Sequence, residues 1–405
     1  MANFASNHQK RIQMLSGKYI FAQLIEFLPQ KYFQRLVMKY EGDKYVKHFT
    51  CWNQLLVMMF GQLSNRDSLR DLISIISAHS NKTYHLGFGK NVTRSNLSKM
   101  NERREPKIFE DFAYRMIDIA RMKRITKDFE VEGHVYAFDS TTIDLCLNVF
   151  WWAKFRRAKA GVKMHTLFDV ETQIPAFIHI TEAKVHDVNA MDAIPYETGA
   201  YYIFDRGYFD LKRLYHIDQI NAYFVIREKS RLNYEVVKDI DTNHNQGGIL
   251  CDQLIRLTGY ASIKKYPDEL RRIVFYAETL NRTFVYLTNN IEISAEQVAL
   301  LYKYRWQVEL FFKWIKQHLK IKSFWGTTES AVRIQIFSAI TAYCMVAIVE
   351  HDLQLNRSNY EVLRILSASL LDKTPIKDLF IKEPADVIND GQLSLNFFSG
   401  PLRLA

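Results

Sequence analysis

Apolar positions recur with helical spacing through the first third of the chain. Residues 52–63 (WNQLLVMMFGQL) are apolar on most sides, which predicts a buried helix. In SNRDSLRDLISII, Asp67 and Ser68 precede Leu69, Leu72, Ile73 and Ile76, the pattern of a second helix with its start signal. Thr93 and Ser95 are candidate N-caps for a short helix carrying Arg94, Lys99, Arg103 and Arg104. Pro106 ends that segment or opens the next helix.

From residue 131 the pattern turns to β. HVYAFDSTTIDLCL, VKMHTLFDV and IPAFIHIT are rich in β-branched and aromatic residues and predict three strands. A short helical pattern near 187–194 precedes AYYIFD, a fourth strand. A helix around 211–220 and the strand YFVIRE follow. Residues 230–290 are again strand-rich, broken by turn signals such as Gly247-Gly248, and predict a small β module inserted into the α/β core. Ser294 with Gln297 forms a capping-box pattern ahead of a helix of about 24 residues. The remainder, including 351–405, reads helical. The longest apolar run, residues 336–349, includes Ser338 and Thr341 and is shorter than the roughly twenty residues a membrane span needs. It predicts a buried core helix. Periodicity alone supports a mixed α/β protein.

Composition sharpens this picture in one respect. The 405 residues carry 54 Lys+Arg against 44 Asp+Glu, a net charge of +10. Residues 1–130 hold 22 basic and 12 acidic side chains, whereas residues 131–405 hold 32 of each. All the surplus belongs to the helical third, which suits binding to a phosphate backbone through a helix-turn-helix arrangement or, more plainly, a solvated basic face. A hydrophobic share of 48% excludes a disordered chain. Cys51, Cys146, Cys251 and Cys344 are scattered, with no Cys-x-x-Cys pair, so a disulfide framework or zinc site is not expected and a reducing interior is. The first residues lack the apolar stretch of a signal peptide, and a soluble, intracellular protein is expected.

The long helix carries Tyr302, Arg305, Glu309 and Lys316, which at 100° per residue fall at about 0°, 300°, 340° and 320°. Lys313 and Lys320 flank the same stripe. Two readings stand on helix geometry: a solvated face with an Arg305–Glu309 pair worth a few tenths of a kcal/mol, or a functional stripe around one carboxylate.

The spacing Tyr-x2-Arg-x3-Glu-x6-Lys resembles the signature of bacterial insertion-sequence DDE transposases of the "insertion sequence four" group. DSTTIDL (139–145) resembles the family's first-aspartate strand, FDRGYFD (204–210) its second-aspartate motif, and WWAKFRRAKAGVKMH (151–165) the lead-in to its second strand. The resemblance covers about 131–350 closely and the N-terminal third more loosely. It implies a ribonuclease H-like catalytic core with an inserted β-sheet module, preceded by an all-helical domain. The implied domains are 1–130 for DNA binding, 131–229 with 291–350 for the core, 230–290 for the β module and 351–405 for a helical C-terminal region. It also implies catalysis by Asp139, Asp205 and Glu309, which would hold two Mg²⁺ ions, with Mn²⁺ as substitute. Hard oxygen ligands without His or Cys suit such ions.

By the same resemblance Arg305, Lys316 and Tyr302 contact DNA near the cut. Lys313 flanks them on the stripe, and the charge surplus makes Arg94, Lys99, Arg103 and Arg104 of the helical region candidates to bind DNA. The expected partners are the double-stranded terminal inverted repeats of the element and its target DNA, bound by a homodimer at the bacterial nucleoid, with no membrane involved. The expected reaction cleaves the ends and joins them to target. The alternative is a structure-selective nuclease that hydrolyses without joining. Among other acids, Asp144 sits at opposite parity to Asp139 on a strand, Asp210 reads as a helix N-cap, and Asp169 and Asp187 read as turn or cap residues. Lys163 and His165 are candidates for the active-site groove, with a structural role the plainer reading for the histidine. Trp306, Trp314, Phe284 and Tyr286 are candidates to hold an unstacked base, against core roles for each.

Overall fold

The computed structural model describes residues 17–90, 92–124, 131–145, 154–156, 159–229, 232–240, 247–318 and 324–381. Its helical third contains α1 (Ile20–Ile25), α2 (Gln30–Lys39), α3 (Cys51–Leu63), α4 (Leu69–Ala78), α5 (Arg94–Arg103) and α6 (Lys107–Arg124). Local chemistry sets the starts. Thr50 and Asn53 form a capping box on α3, Ser68 accepts from Asp71 N ahead of α4, and Thr93 accepts from Asn96 N ahead of α5. Pro106 opens α6 rather than ending α5 late. The helix α3 is buried along nearly its whole length, as its unbroken apolar pattern predicts.

The strands form one ten-stranded sheet. Antiparallel β1 (Val135–Leu145), β2 (Lys154–Arg156), β3 (Lys159–Asp169) and β4 (Ile174–Glu182) come first, with β3 pairing β1, β2 and β4. Next, β5 (Tyr201–Phe204) lies parallel to β1, and after α7 (Leu211–Gln219) β6 (Tyr223–Arg227) lies parallel to β5. The strands β7 (Tyr234–Asp239), β8 (Ile249–Leu257), β9 (Leu270–Ala277) and β10 (Arg282–Thr288) do not make a separate sheet. β10 pairs antiparallel with β6 (Tyr286 opposite Arg227), and β9, β8 and β7 continue outward. The physical reason is the far edge of β6, whose Phe224, Val225 and Ile226 are buried; its backbone groups need partners, and β10 supplies them. A four-residue helix, α8 (Tyr260–Ile263), joins β8 to β9.

Alternation along the strands separates two apolar layers. Val135, Ala137, Tyr201 and Ile203 face one way and join the helical third, while Tyr136, Phe138, Tyr202 and Phe204 face the other way, against α7. On the first face lie α9 (Ala295–Tyr304), α10 (Trp306–His318), α11 (Glu329–Leu353) and α12 (Asn359–Ser369). By length and composition α11 could cross a membrane, but 94% of its most apolar stretch is buried inside the protein, against α3, α5 and α6. Two of its interior polar groups are answered locally: Thr341 donates to Phe337 O at 2.8 Å, and Gln335 Oε1 accepts from Trp325 N at 2.8 Å. Three ion pairs tie the end of α6 to the rest: Arg121–Asp169 (2.9 Å), Lys123–Asp352 (2.5 Å) and Arg124–Glu350 (2.9 Å).

Trp325, just ahead of α11, packs onto α3 at Gly61. A Cβ there would collide with the Trp325 ring and stand 3.0 Å from Leu72 Cδ2. An interior helical Gly→Ala ordinarily adds about 0.5–1 kcal/mol. Here the sign reverses, and Gly61→Ala should cost about 1–3 kcal/mol through overpacking, read from the midpoint of urea denaturation.

Candidate active site

Asp139 follows Val135 and Ala137 on their face of β1, so its carboxylate points toward the helices. The parallel register pairs Phe138 with Phe204. The next residue on each strand is an aspartate, so Asp139 and Asp205 come out side by side, one strand spacing of about 4.8 Å apart in backbone. Asp205 ends its strand and caps a 3₁₀ turn over Arg206–Tyr208, its Oδ1 accepting from Gly207 N at 2.6 Å. A Cβ at residue 207 would stand 2.8 Å from that oxygen and would displace the carboxylate.

Glu309 arrives from the helical side. The single long helix expected from the pattern is interrupted: α9 ends at Tyr304 and α10 starts at Trp306. Across the join the hydrogen bonds shorten to three-residue steps, Arg305 N to Tyr302 O and Val308 N to Arg305 O. Arg305 sits at the break with its side chain 11% exposed, Nη1 3.2 Å from Asp139 Oδ2 and Nη2 2.7 Å from Glu309 Oε1. It therefore clasps a strand carboxylate and a helix carboxylate together. Its guanidinium also lies 5.7 Å from the ring centre of Tyr302, which packs on Tyr286 at 4.7 Å. Lys316, three turns along, donates to Thr142 O of β1 at 3.0 Å. Lys313 is exposed on the same helix. The stripe is packed against β1, with Arg305 largely buried, and is not a solvated face.

Burial pushes the Asp139 carboxyl up to about 6; the Ser140 N–H and Arg305 oppose the rise, and Asp205 and Glu309 add to it. Arg305 does not cancel the negative charge gathered here. The donor set consists of carboxylate oxygens, the chemistry that divalent Mg²⁺ or Mn²⁺ prefers. Among the described residues no three such side chains stand close enough to share an ion in this arrangement, because Arg305 fills the space between Asp139 and Glu309. The residues fit a divalent ion by chemistry and charge, once that guanidinium turns aside.

Other candidates sort by face and burial. Lys163 and His165 do not face this groove: their register positions oppose Thr142 and Ser140, which lie on the other side of the sheet. His165 is buried, its Nε2 2.9 Å from Thr181 Oγ1, and burial lowers its pKa to about 4. Asp210 caps α7, and Asp169 closes a turn through Glu171 N and Thr172 N while pairing with Arg121. The side chain of Asp144 lies outside the described residues, as do Trp151 and Trp152. Trp314 and Tyr286 are buried, whereas Trp306 is 59% exposed and stands beside Arg305, 5.9 Å from ring centre to guanidinium. Arg94, Lys99 and Arg103 are exposed on α5. Arg104 is not; it turns inward to Gln54 Oε1 (2.7 Å), Thr50 O (2.9 Å), Asp43 and Phe49 O, serving the helical core instead of the surface. Sequence reasoning missed Ser140 and Gly207, whose only signal was their position beside the two aspartates.

An aspartate within β1, another at the end of the parallel β5, a glutamate on α10 and Arg305 between two of them form an acidic cluster. The chain belongs to the transposase DDE domain family, whose model matches residues 132–345, just over half of the chain. A second match, a domain of unknown function (DUF4372), covers residues 16–89. A protein named as transposase y4zB in Sinorhizobium fredii is 38% identical over 56% of this chain and 63% of its own length. The probable transposase for insertion sequence element IS5377 of Geobacillus stearothermophilus is 30% identical, over 51% and 54%. A protein of Synechocystis named as transposase for insertion sequence element IS4SA is 28% identical, over 70% and 80%. The chain thus spans less than two thirds of the first two relatives.

A raised carboxyl has a consequence for stability. Free Asp ionises near 3.9, so between about pH 4 and 6 the native chain holds the extra proton. The stabilisation is complete below that window and is lost as pH rises through about 6. Asp139→Asn should flatten this decline and leave the metal-free protein more stable than wild type at pH 8, by about 1–3 kcal/mol. Urea denaturation at pH 4, 6 and 8 measures it; a variant less stable at pH 8 contradicts the assignment.

Proposed function

We propose that this protein is a DNA transposase of the "insertion sequence four" group that binds the terminal inverted repeats of its element, cuts at the ends and joins them to target DNA. The observation that carries the reading is the adjacency of Asp139 and Asp205, fixed by the β1–β5 register, with Glu309 brought to them through Arg305. A ribonuclease H-like core is supported by three antiparallel strands, β1, β3 and β4, followed by β5 and β6 parallel to β1, in the sheet order β4-β3-β1-β5-β6. The described parts of residues 230–290 extend that sheet, and residues 17–124 and 359–380 surround it with helices.

In this reading Asp139, Asp205 and Glu309 hold Mg²⁺. When bound, such ions activate water or a 3′-hydroxyl and neutralise charge on the scissile phosphate. The chain's own groups do the remainder. Arg305 restrains two repelling carboxylates before DNA arrives, then offers its planar donors to a phosphate. Lys316, anchored on β1, and the exposed Lys313 extend that cationic edge. Trp306 presents an exposed ring on which an unstacked base can rest. Lys99 and Arg103 on α5, with Arg94, face solvent and take the flanking duplex. Since two ends must be joined together, the working complex contains two copies.

Asp139→Ala, Asp205→Ala and Glu309→Ala should each reduce Mg²⁺-dependent end cleavage about a thousandfold or more, while end binding in gel shifts stays within about twofold. Retained cleavage removes that residue from the site. Supplying pre-cut ends with a plasmid target separates transposase from nuclease, since only the former yields joined products. In the helical region, Lys99→Ala combined with Arg103→Ala should lower the slope of log affinity against log salt by about two. By contrast, Arg104→Ala should act on folding, costing about 3–5 kcal/mol as a broken buried pair.

A further inference from the structure

The residue after Asp139 points to the opposite side of the sheet and meets a polar network there. Ser140 Oγ donates to Asp187 Oδ1 at 2.7 Å. The same oxygen lies 3.1 Å from Lys163 Nζ, which also donates to Val185 O at 2.7 Å. Lys163 is nearly buried, its side chain 12% exposed, so its charge is committed to this cluster. Asp187 opens the 3₁₀ segment Asp187–Ala193, whose Ala190 and Met191 are buried in the apolar layer against Tyr136 and Phe138. Loop, strand and lysine thus form one fixed unit. The connection to the other face is a single bond: Ser140 N donates to Asp139 Oδ1 at 2.7 Å.

Each oxygen of Asp139 therefore has its own donor, Arg305 on Oδ2 and Ser140 N on Oδ1. Arg305 has to leave when DNA and ions enter, while the Ser140 bond stays, and its direction follows from how Ser140 is held. We propose that Asp187, fixed by Lys163 and gripping Ser140, is a positioning residue that sets the orientation of Asp139 from the far face of the sheet. It touches neither ion nor DNA. The inference rests on Asp139 being a metal ligand. A fixed orientation matters because ligands held by outer partners bind their ions about 10–100-fold more tightly than unsupported ones.

The test is Mn²⁺ binding to the full chain without DNA, followed by electron paramagnetic resonance, alongside the Mn²⁺ concentration required for end cleavage. Wild type should show binding that Asp139→Ala removes. Ser140→Ala and Asp187→Asn should weaken it about 10-fold or more, and cleavage should recover as Mn²⁺ is raised. Ser140→Thr, which keeps the hydroxyl, should restore binding to within about threefold of wild type. Asp187→Asn is nearly isosteric at a 40% exposed side chain and stays folded even if Ser140→Ala does not. Binding that depends on Asp139 but is unchanged in Asp187→Asn overturns the positioning role alone, as does a failure of Ser140→Thr to rescue. Absence of Asp139-dependent binding overturns the metal-site reading, and this inference with it.

Discussion

The parallel pairing of β1 with β5 is the constraint on which the site depends. Opposing Phe138 with Phe204 puts Asp139 and Asp205 in the same row and on the same face. A slip of one residue would turn either carboxylate into the layer built by Tyr136, Tyr202 and Tyr208, where it would meet aromatic rings instead of solvent and cations. The register is defended by side-chain size. Large aromatics fill one face, while Ala137 and Ile203 leave the helices room on the other. Packing thus specifies the spacing of the two aspartates through residues that lie outside their cluster.

The third carboxylate depends on the helical layer. Glu309 is carried by α10, which is pressed to the sheet by Phe311 against Phe168 and to α11 by Trp314 against Tyr343. The helix α11 in turn is gripped by the N-terminal helices, and here much of the positive surplus of residues 1–130 is used internally. Arg121, Lys123 and Arg124 pair with acids of the sheet and of α11, and Arg104 is consumed within the helical core. Arg94, Lys99 and Arg103 are among the cations that face outward. A net charge overstates a binding surface whenever part of it closes a fold.

What the sequence disclosed, and what it withheld, follows from the range of each interaction. Caps at Ser68, Thr93 and Ser294, the strands around Asp139 and Asp205, and the burial of α11 are local or periodic features, and all were legible. The continuation of the sheet through β10 was not, since pairing between residues as distant in sequence as Tyr286 and Arg227 leaves no local trace. Period-two patterning separated Asp144 from Asp139 by parity, but did not tell that Lys163 and His165 sit on the side away from the helices. Asp187 read as a cap residue, and its grip on Ser140 across 47 positions emerges only when β4 folds back. The break at Arg305 lacks the proline or glycine that would announce it. It coincides with the residue whose side chain is bound to two carboxylates at once.

That coincidence bears on how the site manages its charge. Removing carboxylates from water raises their energy, and at 2.7 and 3.2 Å one guanidinium returns part of it. Yet the Asp139 carboxyl still stands near 6, with burial outweighing Arg305. One cation against three acids leaves the site deficient in positive charge, a debt that further hydrogen bonds to neutral donors reduce only in part. In the proposed function Asp139, Asp205 and Glu309 would hold divalent ions that supply the missing positive charge, and Arg305 would then be free to turn to a phosphate. On that reading, entry of metal and entry of DNA would be coupled through a single side chain, Arg305.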